Sequence, residues 1–229
     1  MTRYDSLNIP IPIRDRCAAG QALAGLLAEH HRRRDAIVLA LPRGGVPVAY
    51  EIATALELRL DLMLVRKLGV PGHAELAMGA IASGGVRVLN SDVLRTLHID
   101  DAAIAAVVAR ETRELQRRDR AYRGERPLPL LRDQQVILVD DGVATGATMR
   151  AAVQAARQQR PARIVVAVPV AAPESVALLR READEVVCPF MPDMLMAIGN
   201  WYVDFSQTAD QEVLDLLQLA WQRTCEQAP

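Results

Sequence analysis

Short runs of mostly apolar residues recur along the chain, and most of them are followed by a turn and then by a helical pattern. The runs occupy residues 36–41, 60–65, 136–139, 164–168 and 185–188. An apolar run without alternation is typical of a strand that is buried on both faces, as in a parallel sheet. Because strands and helices alternate, the sequence predicts an α/β fold, with an open, mainly parallel twisted sheet and helices on both faces.

Helical spacing of apolar residues predicts the segments between these strands. Asp15 is a candidate cap for the first helix, since a carboxylate can accept hydrogen bonds from the free N–H groups of a first helical turn. The later helices are predicted over 48–56, 102–120, 148–159, 173–181 and 210–221.

One segment, residues 69–90, departs from this alternation. It is rich in glycine and holds few large apolar residues, which predicts a long mobile loop or a hairpin. Within it, His73 and Glu75 are the evident acid–base candidates, although both could equally be solvent-exposed side chains without a role.

Composition narrows the class of protein. At 229 residues, of which 51% are hydrophobic, the chain is predicted to form a single domain over 1–229 with a sizeable core. Aromatic residues make up only 3%, so stacking platforms for single-stranded nucleic acid are not expected. The net charge of −1 gives no general attraction to polyanions, and nucleic acid is not an expected partner. A local excess of arginine over 110–126 could still steer a polyanionic substrate.

The cysteines and the amino terminus bear on location. Cys17, Cys188 and Cys225 are far apart and lack metal-ligand spacing, which favours a reducing compartment and predicts neither a disulfide nor a zinc site. The first residues carry no basic region followed by an apolar run, and no stretch approaches the length of a membrane span. We therefore expect a cytoplasmic protein without membrane contact.

The densest polar chemistry lies at residues 136–149. The strand 136–139 is followed by two carboxylates, Asp140 and Asp141, and then by a loop with two glycines and two threonines before a helix begins. Glycines let successive backbone N–H groups point inward, and the start of a helix favours a phosphate. Adjacent carboxylates only accept hydrogen bonds, so they suit the two hydroxyls of a ribose. Together these groups predict a site for a ribose 5-phosphate.

Two structural alternatives fit this stretch less well. An Asp-Gly pair could form a hairpin turn, but the residues after Thr148 continue as a helical pattern. A phosphate loop of the P-loop type would need Gly-Lys-Ser or Gly-Lys-Thr after its glycines, and neither sequence follows.

In the order of its apolar, acidic and Gly/Thr-rich residues, the 136–148 stretch resembles the phosphoribosyl-pyrophosphate (PRPP) motif of the type I phosphoribosyltransferases. The resemblance implies that Asp140 and Asp141 contact the ribose 2- and 3-hydroxyls and are the catalytic carboxylates. It also assigns the 5-phosphate to Ala144, Thr145, Gly146, Ala147 and Thr148.

A strand, a glycine-rich turn and a helix start also occur around residues 42–47. From the residues alone, this is either a tight turn that needs small side chains or a set of backbone donors with one cation at the sheet edge where ligands bind. In the family this turn is the pyrophosphate loop, and family members place a basic pair near the same group. The resemblance therefore assigns pyrophosphate to Arg43, Gly44, Gly45, Arg66 and Lys67.

The irregular segment 189–207 holds both phenylalanines and one of the two tryptophans. These aromatic residues could simply seal the core. In the family a carboxyl-terminal segment often contributes to a small hood over the acceptor base, and a flexible loop closes over the substrate to exclude water. The resemblance thus makes 69–90 the flexible loop, 189–207 the hood, and Met191, Trp201 and Tyr202 the candidate acceptor contacts.

The whole chain is also similar to bacterial and archaeal proteins described as predicted phosphoribosyltransferases, through residues 41–47, 66–69, 136–149 and 199–207. The resemblance implies transfer of a phosphoribosyl group from PRPP to a nitrogen acceptor, a nucleobase or a related small molecule, with release of pyrophosphate. Because this fold also serves in transcription control, a PRPP- or nucleotide-sensing regulator without turnover is the alternative. Hydrolysis or transfer on a related sugar phosphate would use the same residues.

The resemblance further implies Mg²⁺ as the cofactor. This hard cation is usually held through substrate phosphates, and the sequence contains no metal cage built from protein residues alone. We therefore expect the ion to bind by way of PRPP, near Asp140 and Asp141. Dimers are common in the family, and the amphipathic helices permit a homodimer.

Overall fold

The computed structural model describes residues 10–226, apart from the side chains of residues 74, 75 and 224–226. In that range the strands are β1 Ala36–Ala40, β2 Arg59–Leu62, β3 Val65–Val70, β4 His73–Ala82, β5 Val86–Leu89, β6 Gln135–Val139, β7 Arg163–Ala167 and β8 Glu185–Val187. The α-helices are α1 Arg16–Leu26, α2 Gly45–Ala55, α3 Ser91–Thr96, α4 Asp101–Arg123, α5 Ala147–Gln158, α6 Pro173–Glu182 and α7 Asp210–Glu226. Short 3-10 helices lie at Ala28–His30 and Ile198–Trp201.

Five strands form a parallel sheet in the order β2-β1-β6-β7-β8. The register aligns Ala40 of β1 with Val139 of β6, and both are the last residues of their strands. Since neighbouring parallel strands end at one edge, the loops that follow β1 and β6 lie side by side at that edge. The sheet order thus brings together two segments that are far apart in the sequence.

Successive residues of the central strands pack into two separate cores, one on each face of the sheet. Val38 and Ile137 belong to the core that also holds buried residues of α1, α2 and α7. Leu39 and Leu138 belong to the core that holds buried residues of α5 and α6. A strand covered on both faces has no polar face, which explains the unbroken apolar runs. The predicted α/β architecture, with helices on both faces of a parallel sheet, is confirmed.

The first helix begins as its sequence predicts. The Asp15 side chain accepts a hydrogen bond from the backbone N–H of Ala18 at 2.7 Å, which satisfies one free donor of the first turn. The other predicted helices are present with ends that shift by a few residues. Among the described residues, no helix combines the length and apolarity that crossing a membrane requires.

Most of the 69–90 segment is strand, in a three-stranded antiparallel sheet with the order β3-β4-β5. Of the two predicted alternatives this is the hairpin, and closure of the segment over a substrate stays a prediction. The glycines that suggested mobility serve the turns and the strand contacts. Gly72 and Gly84 adopt positive φ angles of 78° and 83°, and a Cβ on Gly79 would overlap the carbonyl oxygen of Val88.

The predicted strand 60–65 is divided between the two sheets. β2 ends at Leu62 in the parallel sheet, and β3 begins at Val65 in the antiparallel sheet. Arg66 and Lys67 therefore lie within β3 rather than at the carboxyl end of a central strand, which corrects the prediction. The apolar run could not reveal this break because residues on both sides of it are apolar and packed in the core.

Candidate functional site

The loops after β1 and β6 are in close contact because the first loop carries Gly44 and Gly45, which have no side chain at the contact. A Cβ on Gly45 would lie 2.6 Å from the carbonyl oxygen of Val139 and 2.9 Å from the Cα of Asp140. A Cβ on Gly44 would overlap the carboxylate of Asp141. Both positions are therefore restricted to glycine by the neighbouring loop, which is a stronger constraint than a tight turn alone would impose.

The loop after β6 presents the start of α5 to solvent. Gly146 adopts the left-handed conformation, with φ 75°, and precedes the helix without a side-chain cap, so backbone N–H groups of the first turn stay available. Thr145, Ala147 and Thr148 are exposed at this end. These donors and hydroxyls, together with the positive end of the helix dipole, form a concave group that suits a phosphate.

Neighbouring loops hold this one in place. The Ser175 hydroxyl donates a hydrogen bond to the carbonyl oxygen of Ala144 at 2.6 Å. The backbone N–H of Val143 donates to the carbonyl oxygen of Val170 at 2.9 Å, and the N–H of Ala172 donates to the carbonyl oxygen of Val143 at 3.0 Å. The loop that follows β7 and the first turn of α6 thus hold the loop after β6 in its conformation.

Asp140 and Asp141 are adjacent but have different surroundings. Asp140 is half-buried, and its carboxylate accepts the backbone N–H of Asp141 at 2.9 Å. Burial, and after it the neighbouring Asp141 carboxylate, raise the pKa of Asp140 well above its ordinary value. Such a carboxyl gains from any ligand that supplies hydroxyl donors or positive charge.

The Asp141 carboxylate is held by Arg16, a residue that the sequence patterns did not single out. Nε and Nη2 of Arg16 both lie 2.8 Å from Oδ2 of Asp141, and the two side chains are each only 12% exposed. Nη1 of Arg16 donates to the carbonyl oxygen of Ser206 at 2.7 Å, and the guanidinium lies 4.0 Å from the ring centroid of Phe205. Arg16 therefore joins α1, the acidic pair and the carboxyl-terminal segment.

A family model described as phosphoribosyl transferase domain matches residues 13–194. The chain belongs to this family. The match contains both loops and the acidic pair, and it confirms the family that the 136–148 motif predicted.

Similar proteins agree with this membership. Two Mycobacterium tuberculosis proteins, from strains H37Rv and CDC 1551, bear the name "Putative phosphoribosyl transferase" and are each 48% identical to the chain over 206 residues. Those matches cover 90% of this chain and 46% of each relative, so the chain spans about half the length of the curated relatives it matches. The crystal structure of TT1426 from Thermus thermophilus superposes with a TM-score of 0.81 at 45% identity, covering 89% of this chain and 96% of that one.

In this phosphoribosyl transferase family member, the 189–207 segment packs directly on the acidic pair. The Tyr202 hydroxyl donates to the carbonyl oxygen of Asp141 at 2.7 Å, and burial raises the pKa of Tyr202. A Cβ on Gly142 would lie 2.5 Å from the side chain of Ile198, so this contact also depends on glycine. Trp201 is half-buried in an edge-to-face contact with Phe190, with ring centroids 4.9 Å apart.

The remaining acceptor candidate, Met191, is half-buried against the core on the α5 side. Of the three predicted acceptor contacts, Tyr202 is the one with a hydrogen bond to the acidic pair. That bond runs from its side-chain hydroxyl to the backbone carbonyl oxygen of Asp141. Their role toward an acceptor stays a prediction.

Arg43 extends from the first loop toward α4 and α7. Its Nη1 lies 3.9 Å from Oδ1 of Asp210, which also accepts a hydrogen bond from the Tyr122 hydroxyl at 2.5 Å. Burial, and then Asp210, raise the pKa of Tyr122 to about 12. Together with Tyr122 and Asp210, Arg43 lines a cleft of about 320 Å³, which Arg117 and Arg118 also line.

The basic pair of β3 separates into two environments. Arg66 is paired with the buried Glu111 of α4, with Nη2 2.6 Å from Oε2. Lys67 is exposed and lines a cavity of about 530 Å³ that Thr148 also lines. Lys67 is thus the member of the pair that shares a cavity with the first turn of α5.

The acid–base candidates His73 and Glu75 both lie in β4. His73 is exposed at the start of β4. The side chain of Glu75 lies outside the part of the chain that the structure describes, so its role stays a prediction.

Proposed function

We propose that the protein transfers a phosphoribosyl group from PRPP to a nitrogen acceptor and releases pyrophosphate. The carbon–oxygen bond at C1 of the ribose breaks, a carbon–nitrogen bond forms, the electron pair leaves with pyrophosphate, and the acceptor nitrogen loses a proton. The observation that carries the proposal is the contact between two loops at one sheet edge, one with an acidic pair and an uncapped helix start, the other with two obligatory glycines. Membership of the phosphoribosyl transferase family supports it.

The loop after β6 would bind the ribose 5-phosphate half of the substrate. Backbone N–H groups from Ala144 to Thr148 and the threonine hydroxyls would hold the 5-phosphate. Asp140 and Asp141 would both accept hydrogen bonds from the ribose hydroxyls. Because Arg16 fixes the Asp141 carboxylate, Asp141 would also set the orientation of its neighbour Asp140. Arg16 is thus proposed as a positioning residue.

The loop after β1 would hold the leaving pyrophosphate through the backbone of Gly44 and Gly45. Lys67 is proposed as the cation nearest to the substrate because it shares a cavity with Thr148. Arg43 and Arg66 would bind pyrophosphate only after leaving their present carboxylate partners. Arg43 would leave Asp210, and Arg66 would leave Glu111. Cations placed where negative charge develops stabilise the leaving group.

The donor set at this edge fits Mg²⁺ bound together with PRPP. Two adjacent carboxylates share one neutralising guanidinium, and burial, with the Asp141 carboxylate next, raises the pKa of Asp140. When bound, Mg²⁺ would neutralise charge on the pyrophosphate. The protein residues would position the sugar, exclude water and orient the acceptor.

The acceptor is proposed to be a nucleobase or a related small nitrogen compound. It would bind under the 189–207 segment, where Met191, Trp201 and Tyr202 are the candidate contacts. We further propose that residues 1–229 act as one phosphoribosyltransferase-like domain in the cytoplasm, with a homodimer as the expected assembly. Neither a membrane nor nucleic acid is an expected partner.

Pyrophosphate release tests the proposal. The full chain is incubated with PRPP and Mg²⁺ and with a panel of purine, pyrimidine and simple amine acceptors, and released pyrophosphate is measured by a coupled assay. We expect release that depends on one class of acceptor and that is lost in Asp140→Asn, whereas Asp133→Asn, at an exposed position before the start of β6, behaves as wild type. PRPP binding without release for every acceptor would instead support a PRPP-sensing regulator.

A further inference from the structure

A buried histidine without hydrogen-bond partners lies at the edge of the sheet opposite the PRPP loops. His30 ends the 3-10 helix that follows α1, and its side chain is 1% exposed. Neither Nδ1 nor Nε2 has a hydrogen-bond partner among the described residues. Leaving both polar atoms of a buried ring unsatisfied is costly, so such a ring calls for a ligand or another explanation.

Two carboxylates converge on this ring. Nε2 of His30 lies 3.5 Å from Oε1 of Glu29, and one ligand atom from each of Glu29, His30 and Glu185 falls within 4.8 Å of the others. Glu185 is the first residue of β8, at the amino-terminal edge of the parallel sheet. The three residues come from opposite halves of the chain, so no local spacing in the sequence could have indicated the cluster.

We infer that Glu29, His30 and Glu185 form a binding site for a divalent transition-metal ion such as Zn²⁺. One imidazole nitrogen and two carboxylate oxygens are ligands that this ion accepts. Ligand atoms on such an ion lie roughly 3–4 Å apart, given bonds of about 2.1 Å, so modest side-chain rotations would close the site. The ion would satisfy the buried Nε2 and join the segment after α1 to β8.

Arg163 is the competitor for the carboxylates. Its Nη2 lies 2.5 Å from Oε2 of Glu185, and its Nη1 lies 3.4 Å from Oε1 of Glu29. The Arg163 side chain is 40% exposed, so it can move into solvent when a doubly charged ion takes its place. The metal site and the arginine cluster are therefore alternatives, and removing the arginine should favour the metal.

Zinc titration of the full chain tests the inference, with the chain first treated with a chelator and the titration followed by calorimetry. We expect one Zn²⁺ bound by wild type, affinity at least about 10-fold weaker in His30→Gln, and affinity at least about 10-fold tighter in Arg163→Gln. The gain in Arg163→Gln cannot arise from misfolding. His31→Gln is the matched control, because His31 is the adjacent, exposed histidine with the same 3.5 Å approach to a single glutamate, Glu57.

A second readout is thermal unfolding, since a ligand that binds only the folded state raises the unfolding midpoint. At one Zn²⁺ concentration, the rise in midpoint should be the same for wild type and His31→Gln, and should be smaller for His30→Gln. Equal zinc affinity in wild type and His30→Gln would overturn the inference. So would an affinity that Arg163→Gln leaves unchanged, because the cluster would then be an ion-pair network only.

Discussion

At the scale of single residues, the two adjacent carboxylates of the site differ in charge compensation. Arg16 neutralises Asp141, whereas no cation is paired with Asp140 among the contacts described above. Arg16 makes two contacts with the Asp141 carboxylate and a third with the Ser206 carbonyl oxygen, whereas Asp140 has only a backbone N–H as partner among the contacts described above. A carboxylate fixed by a guanidinium orients the backbone around it, and one without a cation remains free to bind ligand. The division of labour between the two acids follows from this difference.

Replacing Arg16 should destabilise the fold. Arg16→Gln leaves the buried Asp141 carboxylate without its cation, and we expect a loss of about 2–4 kcal/mol in the free energy of unfolding, measured with urea at pH 7. Arg14→Gln is the control, since Arg14 is 70% exposed and pairs with Asp15 at the surface, and it should unfold near wild type. Equal losses in both variants would contradict the role given to Arg16.

The glycine contact between the two loops makes a second prediction. Gly44 has φ −61°, which alanine adopts without strain, so Gly44→Ala tests only the overlap of its Cβ with Asp141. We expect a loss of about 1–3 kcal/mol in unfolding free energy. Gly25→Ala, where a Cβ on α1 meets nothing within 4 Å, should instead stabilise by about 0.5–1 kcal/mol. If Gly44→Ala also stabilised, the described loop contact would be wrong.

The raised pKa of Asp140 predicts a conflict between stability and binding. Because the folded-state pKa lies above the ordinary value of 3.8, the charged form is disfavoured in the folded protein, and stability falls as pH rises through the folded pKa. Asp140→Asn should therefore lie near wild type in stability at pH 3.5 and exceed it at pH 7, where the charged form is disfavoured in the folded protein. Urea unfolding across this pH range measures the difference, and a less stable Asp140→Asn at pH 7 would refute it.

At the scale of elements, an ion pair between β3 and α4 links the antiparallel sheet to the rest of the molecule. Burial favours the neutral form of Glu111, but hydrogen bonds from Arg66 and then Arg110 outweigh it and lower the pKa of Glu111 below its ordinary value of 4.5. The charged form is thus favoured in the folded state. Its contribution to stability is present above pH 4.5 and is lost as pH falls through the folded pKa.

Glu111→Gln should weaken this link in a pH-dependent way. We expect a loss of roughly 1–2 kcal/mol in unfolding free energy at pH 7, because Arg66 loses its charged partner, and a smaller loss as the pH falls below 4.5. Glu114→Gln, three residues further along the same helix, breaks only ion pairs within α4 and should have little effect. A loss in Glu111→Gln that did not change with pH would argue against the ion pair.

The elements also show what sequence patterns can and cannot predict. The central strands and their loops were predictable because burial on both faces and a helix start are local signals. A loop or hairpin is predicted over 69–90 because the segment is rich in glycine and poor in large apolar residues, although one of these glycines, Gly79, serves close strand contact. The division of 60–65 between two sheets, and the Arg66–Glu111 pair, depend on how distant segments pack, which no local pattern records.

At the scale of the whole molecule, the parallel register of β1 and β6 brings the two glycine loops to one edge, and this could be expected from the fold class. Arg16 could not be expected, because 125 positions separate it from Asp141 and a lone arginine after a helix cap is an ordinary surface residue. Family membership supports the chemistry of the edge, and the acceptor is left to experiment.

Calorimetric titration of PRPP into the full chain with Mg²⁺ tests the central proposal most directly. We predict one PRPP bound per chain, with affinity at least about 10-fold weaker in Asp140→Asn, where a charged acceptor of the ribose hydroxyls is lost. Asp133→Asn, at an exposed position before the start of β6, should bind PRPP as wild type does. Ribose 5-phosphate and pyrophosphate should each bind more weakly than PRPP. An absence of PRPP binding, or equal affinity in wild type and Asp140→Asn, would contradict the assignment of this edge as the PRPP site.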